Sequence, residues 1–201
     1  GLSGYMNIAR HINWSFNYLT HPPTPSMVNL EHKVPEGSSS MSVMDFMNSQ
    51  FDRTVTWKDA AWMIEQWDKP FAIKGILSVE DAKMAVEVGA SAIMVSNHGG
   101  RQMDGCPAPI EVLADIVDAV GDKLEVILDG GVRRGTHILK ALSLGAKACM
   151  GGRPYLYGLA AAGEEGAYRS LNLLKEEVIN NMILLGTTKV KDITTDHFRK
   201  V

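Results

Sequence analysis

The chain contains the same ten-residue pattern twice, a helical segment that ends at Gly-Ala and continues directly into an apolar run. The two copies are residues 85–94 (AVEVGASAIM) and 141–150 (ALSLGAKACM). A repeat of this kind predicts that one strand–helix–strand unit occurs twice in the fold. Such repetition favours a symmetric β/α barrel over a doubly wound sheet.

Four short apolar runs extend this prediction to a parallel sheet. They cover residues 71–74, 92–95, 125–128 and 146–150, and segments with helical signals lie between them. Strands that alternate with helices at this spacing predict parallel βα units. We therefore predict an α/β fold with about four βα units within residues 56–163, followed by a C-terminal helix and a polar tail over residues 164–201.

Further helices are predicted on both sides of these units. Thr56 and Asp59 have the spacing of a capping box, and three tryptophans, Trp57, Trp62 and Trp67, are expected to anchor the helix that follows. A short helix over residues 155–162 and a long one over residues 164–185 are predicted near the C-terminus.

Residues 1–55 form an irregular and helical connecting region in this prediction. Prolines cluster at residues 22–25, and apolar residues at helical spacing predict one amphipathic helix over residues 7–20. This helix either packs on the domain or touches a membrane or a partner protein.

Composition excludes some classes of function. The formal net charge of −3 gives no support to nucleic-acid binding. The two cysteines match no metal-ligand spacing and fit a reducing, cytoplasmic compartment. We expect no signal peptide, and no apolar run in the sequence is near the roughly 18 residues of a membrane span. The chain begins with glycine, so we expect a processed or excised polypeptide.

Polar residues follow every predicted strand. The groups at the four strand ends are Lys74, then Ser96 and His98, then Asp129, and finally residues 151–153. In β/α barrels the catalytic groups lie at the carboxyl ends of the strands. The pattern therefore predicts one functional site at this end of the sheet.

The last two strand ends have the composition of a phosphate site. The glycine pairs 130–131 and 151–152 let backbone N–H groups approach an anion closely, and Arg133 and Arg153 can bind phosphate through two hydrogen bonds. The alternative is that these segments are tight turns with surface arginines.

The second strand end combines a base with a fixed cation. His98 can act as a general base near neutral pH, and Arg101 can hold a substrate carboxylate. The alternative is a structural histidine. Lys74 ends an apolar run, so we expect it to need an anionic partner, either a phosphate, a carboxylate or a negatively charged cofactor ring.

Three motifs carry a resemblance to a known family. Residues 96–105 (SNHGGRQMDG), 129–135 (DGGVRRG) and 152–154 (GRP) resemble the FMN-dependent α-hydroxy acid dehydrogenases and oxidases. This family includes L-lactate dehydrogenase, glycolate oxidase, mandelate dehydrogenase and flavocytochrome b2. Residues 1–4 (GLSG) and 56–59 (TWKD) look most similar to the bacterial L-lactate dehydrogenases.

The resemblance implies a role for each residue of the motifs. His98 would take a proton from a 2-hydroxy acid, L-lactate foremost, and Arg101 would bind its carboxylate. Lys74 would lie beside the flavin N1–C2=O edge, and Ser96 would contact the flavin. The FMN ribityl chain and phosphate would be held by Asp129, Gly130, Gly131, Val132 and Arg133, with Gly152 and Arg153 completing the cradle.

The resemblance also implies that the chain is one partial domain, spanning residues 1–201. A complete barrel has eight strands and about 250 residues, and four strands are counted here. The chain therefore resembles the C-terminal half of the family's barrel. The other half would carry substrate tyrosines, further flavin contacts and the aspartate that orients the base.

The partners implied are a small 2-hydroxy acid and an electron acceptor, which is a quinone, a cytochrome or oxygen. The resemblance also implies that the full-length protein is a homo-oligomer. A further expectation is that the protein contacts the inner membrane face peripherally. Two alternatives remain open from the residues alone. One is a β/α barrel that binds a phosphorylated ligand without redox chemistry, and the other is an inactive fragment.

Overall fold

The computed structural model of the chain describes residues 9–21, 33 and 40–199. The chain divides into two compact units, Gly1–Val55 and Thr56–Val201. The described part of the first unit contains helices α1 (Ile12–Thr20) and α2 (Ser40–Gln50). Residues 9 and 10 are also helical, and the start predicted at residue 7 lies outside the described residues.

The second unit alternates strands with helices. Its elements are α3 (Trp57–Gln66), β1 (Ala72–Ile76), α4 (Val79–Glu87), β2 (Ala92–Ser96), α5 (Pro109–Val120), β3 (Glu125–Asp129), α6 (Gly135–Ser143), β4 (Ala148–Met150) and α7 (Arg153–Leu184), followed by 3-10 helices Val190–Asp192 and Thr195–His197. The four strands pair in parallel in the order β1-β2-β3-β4. The predicted α/β fold with four consecutive parallel strands is confirmed.

The core lies on one face of the sheet. Ile93 and Val126 are buried, and they share one apolar cluster with Leu113 and Ile116 of α5. Each such side chain contributes about 1.5–3 kcal/mol when it leaves water. Residues that alternate with them in the strands, such as Met94 and Ile127, are only partly buried. One face of the sheet is therefore the core face, and the other is less completely covered, although Ala92 and Ser96 on it are buried.

The repeated sequence adopts the same geometry twice. Gly89 follows α4 with φ of 84°, and Gly145 follows α6 with φ of 95°. The N–H of the next residue then donates to a carbonyl in the last turn of the helix, at 3.0 Å in the first copy and 3.1 Å in the second. Glycine adopts this left-handed conformation without a steric cost, so both helices end there and lead directly into a strand.

Strand β1 is longer than predicted. It continues to Ile76, and its register against β2 shifts between Lys74 and Ile76. Gly75, at this irregularity, has φ of 102°. The apolar run predicted only residues 71–74 because a glycine in a strand reads as its end, whereas here it forms a bulge.

The tryptophan prediction is correct for one residue of three. Helix α3 is capped as expected, since the backbone N–H and Oγ1 of Thr56 both donate to Asp59 Oδ2 at 2.7 Å. Trp57 packs against the core, but the relative exposures of Trp62 and Trp67 are 60% and 52%. Anchoring by these two is therefore wrong, because Trp62 lies on the solvent side of the helix and Trp67 follows its last residue.

Helix α7 consists of two helical segments. Ala162 and Gly163 have non-helical backbone angles, and they separate a short segment from a long one, as predicted. The tail is less solvated than predicted, since Ile193 is buried. Within the described ranges, no helix is both long and apolar enough to cross a membrane.

Candidate functional site

The buried hydroxyl of Ser96 joins three strand ends. Its side chain is fully buried, its Oγ accepts hydrogen bonds from Lys74 Nζ at 3.0 Å and from the His98 N–H at 3.1 Å, and it donates to Asp129 Oδ2 at 2.7 Å. A buried hydroxyl needs such partners, because an unpaired one costs the full desolvation penalty. Ser96 therefore fixes β1, β2 and β3 relative to one another at their carboxyl ends.

The anionic partner of Lys74 is Asp129. The lysine Nζ lies 2.7 Å from Asp129 Oδ2, and the side chains are 41% and 18% exposed respectively. Of the three partners expected from the sequence, the structure thus contains the carboxylate, and the lysine is half-exposed rather than buried. The contact also directs the Asp129 carboxylate towards β1.

Asp129 stays ionised despite its partial burial. Burial by itself raises the pKa of Asp129, but hydrogen bonds from Lys74 and Ser96, together with the lysine charge, lower the pKa by more than burial raises it. The net pKa lies below the ordinary value for an aspartate. At neutral pH the site therefore contains a fixed carboxylate–ammonium pair.

The loop after β2 turns His98 back over β1. His98, Gly99 and Gly100 have φ of 55°, 74° and 70°, so three consecutive residues are left-handed. The Gly100 N–H closes this turn by donating to Asn97 O at 3.0 Å and to Asn97 Oδ1 at 3.1 Å. A non-glycine residue with a left-handed backbone is uncommon, and such residues cluster at functional sites.

Gly75 makes room for this imidazole. A Cβ atom at Gly75 would lie 2.9 Å from His98 Nε2 and 3.3 Å from its Cε1. The first distance is shorter than real Cβ contacts, and the second is tighter than most of them. Gly75 was not among the predicted site residues. Its signal is a glycine inside an apolar strand pattern, which indicates a bulge or the close approach of another group.

Arg153 connects the glycine turn after β4 with the histidine loop. Its Nη2 donates to Gly99 O at 2.6 Å. The sequence predicts a phosphate-binding role for Arg153 but not this contact. No local signal predicts it, because the two residues are 54 positions apart.

A second histidine braces the turn after β3. His137 Nδ1 lies 3.1 Å from Gly131 O and 3.3 Å from the Arg133 nitrogen, so either tautomer finds a partner there. His137 was not singled out from the sequence. It lies in the first turn of α6, four residues after Arg133.

One cavity of about 370 Å³ collects the predicted site residues. Ten of the eleven line it, namely Lys74, His98, Arg101, Asp129, Gly130, Gly131, Val132, Arg133, Gly152 and Arg153. Ser96 lies beneath the others as their buried hub. Gln102, Met150 and Leu156 also line the cavity and were not predicted.

The cavity therefore combines a base candidate, several cations and glycine turns. The sequence of the chain that forms it matches known proteins. A family model described as FMN-dependent dehydrogenase matches residues 2–200. The chain belongs to this family. The predicted family and its cofactor class are confirmed.

Relatives within the family carry several names. Pre-mycofactocin synthase from Mycolicibacterium smegmatis is 50% identical over 141 residues, which are 70% of this chain and 35% of that protein. L-lactate oxidase from Nostoc sp. is 42% identical over 183 residues, 89% of this chain and 50% of that one. The crystal structure of the monotopic membrane protein (S)-mandelate dehydrogenase matches with a TM-score of 0.84 and 35% identity, over 98% of this chain and 52% of that chain.

The chain spans about half the length, or less, of these relatives. Its own residues nevertheless fit the phosphate end of FMN. Side chains added at Gly131 or Gly152 would meet nothing within 4 Å, so the backbone there faces open space. Arg133 and Arg153 line the same cavity. Exposed backbone N–H groups beside guanidinium groups form the donor set that a phosphate dianion requires.

Proposed function

We propose that this cavity serves an FMN-dependent enzyme that oxidises a small L-2-hydroxy acid to the 2-oxo acid, with L-lactate as the first substrate to test. One observation carries the proposal: a base candidate, a carboxylate-binding arginine and a glycine–arginine phosphate cradle line the same cavity. The name of the Nostoc relative supports L-lactate, and the name of the mandelate enzyme supports a larger hydroxy acid.

The proposed cofactor site divides along the cavity. Gly131, Arg133, Gly152 and Arg153 would hold the FMN phosphate, and Lys74 would lie beside the flavin ring. When bound, FMN would accept the two electrons and the hydrogen of the C–H bond that breaks at the hydroxyl-bearing carbon. The ion pair with Asp129 holds the Lys74 ammonium at the end of β1, so its position is set before any ligand binds.

His98 and Arg101 would act on the substrate. Arg101 holds the carboxylate by parallel hydrogen bonds, which orients the adjacent hydroxyl-bearing carbon. His98 takes the hydroxyl proton and becomes an imidazolium ion. Ser96 and Gly75 position His98 for this step. Ser96 Oγ accepts a hydrogen bond from the His98 backbone N–H, and Gly75 leaves space for the imidazole ring.

The alternative of a phosphate-binding barrel without redox chemistry conflicts with membership of an FMN-dependent family. The alternative of an inactive fragment concerns the isolated chain. We propose that the 201-residue chain alone binds FMN weakly and does not turn over. The chain spans about half the length, or less, of the relatives named above, which supports this proposal.

The first experiment separates cofactor binding from turnover. FMN fluorescence is titrated with the chain, and L-lactate-dependent reduction of a dye is then measured. We expect weak quenching and no reduction, and full activity of the isolated chain would contradict the second expectation. In a complete barrel that carries this sequence, His98→Gln should abolish dye reduction while FMN remains bound. Unchanged reduction in that variant would overturn the role of His98.

The same complete barrel would identify the substrate and the electron acceptor. Reduction is compared for L-lactate, glycolate and mandelate, and reoxidation is compared for a quinone, a cytochrome and oxygen. A larger kcat/KM with mandelate than with L-lactate would replace the proposed substrate. Its sedimentation would test the proposed homo-oligomer.

A second proposed function is peripheral contact with a membrane, at the cytoplasmic face of the inner membrane. Ile12, Phe16 and Leu19 share one face of α1 and are 72%, 67% and 77% exposed. Residues 9–21 contain no acidic residue, which favours an anionic lipid surface. The monotopic relative, which matches 98% of this chain, supports the same role.

Co-sedimentation with anionic lipid vesicles tests this contact. Phe16→Ser combined with Leu19→Ser should reduce the bound fraction several-fold, because burial of each side chain contributes about 1.5–3 kcal/mol. Ile183→Ser, at a 70% exposed position of α7, is the matched control and should leave binding unchanged. Equal binding of all three proteins would exclude α1 as the membrane contact.

A further inference from the structure

We propose that Glu177 of α7 is a positioning residue for the phosphate turn, defined as residues 130–135. The inference rests on the proposed function, because it gives this turn the FMN phosphate as its ligand. Glu177 itself lies 42 residues beyond the turn in sequence and does not line the cavity.

Glu177 holds the end of the phosphate turn through both carboxylate oxygens. The Gly135 N–H donates to Oε2 at 2.7 Å. Arg134 Nε lies 3.0 Å from Oε2 and 2.8 Å from Oε1. One carboxylate therefore fixes two consecutive residues, the last of the loop and the first of α6.

The backbones of α6 and α7 meet at the same place. A Cβ atom at Gly135 would lie 2.5 Å from the Val178 nitrogen and 2.6 Å from the carbonyl carbon of Glu177. Only glycine permits this approach. Asn181 Nδ2 also donates to the Glu177 carbonyl at 2.6 Å, which supports the helix turn that carries the carboxylate.

This contact separates two adjacent arginines. Arg133 lines the cavity, whereas Arg134 pairs with Glu177 outside it. If Arg134 were not held, the two guanidinium groups would compete for the same anion and the loop could rotate. The carboxylate also satisfies an N–H group at the start of α6, where the helix dipole favours negative charge.

The electrostatic environment agrees with an ionised carboxylate. The hydrogen bond from Gly135 and then that from Arg134 lower the pKa of Glu177 below its ordinary value. Glu176, the preceding residue, is exposed and carries the same charge on the same helix. It therefore provides a matched control for the loss of one negative charge.

The experiment compares FMN with riboflavin, which lacks the phosphate. Each flavin is titrated by fluorescence against the full chain and against its Glu177→Gln and Glu176→Gln variants. We expect Glu177→Gln to weaken FMN binding about tenfold and riboflavin binding much less, since the phosphate is the charged group that the turn holds and riboflavin offers it only the ribityl chain. Glu176→Gln should match the unsubstituted chain for both flavins.

Two further measurements keep the inference falsifiable. Arg134→Gln removes the ion pair but retains the Gly135 contact, and adding it to Glu177→Gln should cause no further loss of FMN binding. Hydrogen exchange of the Gly135 amide, measured without flavin, should accelerate in Glu177→Ala, which removes the acceptor of this amide, but not in Arg134→Gln.

The outcomes separate the inference from the proposed function. If Glu177→Gln and Glu176→Gln bind FMN equally well, the inference is overturned while the cradle remains. If the unsubstituted chain does not prefer FMN to riboflavin, the phosphate cradle is overturned and the inference with it. A parallel loss of FMN and riboflavin binding would show a general structural role and would also overturn it.

Discussion

Gly75 and His98 show how closely one residue type can determine the shape of the site. The imidazole occupies the space that any side chain at Gly75 would need. The glycine is also required by its φ of 102°, which L side chains rarely adopt. Glycine is therefore required at position 75 for two reasons, its backbone conformation and the space that the His98 ring needs, although it has no reactive side chain.

Gly75→Ala should displace the His98 ring. Gly100→Ala is the control, because it imposes the same backbone strain without a steric clash. Both glycines have positive φ, but a side chain at Gly100 would meet nothing within 4 Å. Each substitution should lower the free energy of unfolding by about 1–2 kcal/mol through backbone strain. Only Gly75→Ala should shift the NMR resonances of the His98 ring. Unchanged ring resonances in that variant would contradict the steric explanation.

At the scale of elements, Arg153 couples α7 to the loop that follows β2. It belongs to the first turn of α7, and its hydrogen bond ends on Gly99 O, next to the proposed base. The proposed phosphate cradle and the histidine loop thus share a side chain. A ligand that draws Arg153 towards its phosphate would therefore alter the support of His98.

Arg153→Lys should loosen residues 97–105 without unfolding the second unit. Lysine keeps the charge but loses the planar geometry that reaches Gly99 O. Amide exchange in this loop should accelerate about tenfold, because the substitution removes one charge-assisted hydrogen bond that contributes about 1.5 kcal/mol. Arg169→Lys, on an exposed site of α7, is the control and should leave exchange unchanged. Equal exchange in both variants would remove Arg153 from this role.

Elements were predictable where the cause is local. The four strands of the second unit follow from short apolar runs, and their predicted bounds differ from the observed ones by at most two residues. Contacts between elements were not predictable. The Glu177–Arg134 pair joins residues 43 positions apart, and the partner of Lys74 was left open between three chemistries. Such contacts depend on how helices settle on the sheet, which no local pattern encodes.

At the scale of the whole molecule, the second unit presents an incompletely covered sheet. Parallel sheets are usually covered on both faces. Here β1 and β4 are the outer strands, and Ala148 and Met150 of β4 are exposed. An exposed edge strand offers unpaired backbone groups to another chain.

We therefore expect the isolated chain to associate as its concentration rises, through the edge and open face at β4. Ala148→Lys places a charge on this surface and should shift association to several-fold higher concentration, because natural edge strands are protected in this way. Ala161→Lys makes the same change at an exposed position of α7 and should leave association unchanged. Sedimentation velocity over a concentration series measures both effects. A chain that stays monomeric throughout, or an equal effect of the two lysines, would show that β4 does not drive association.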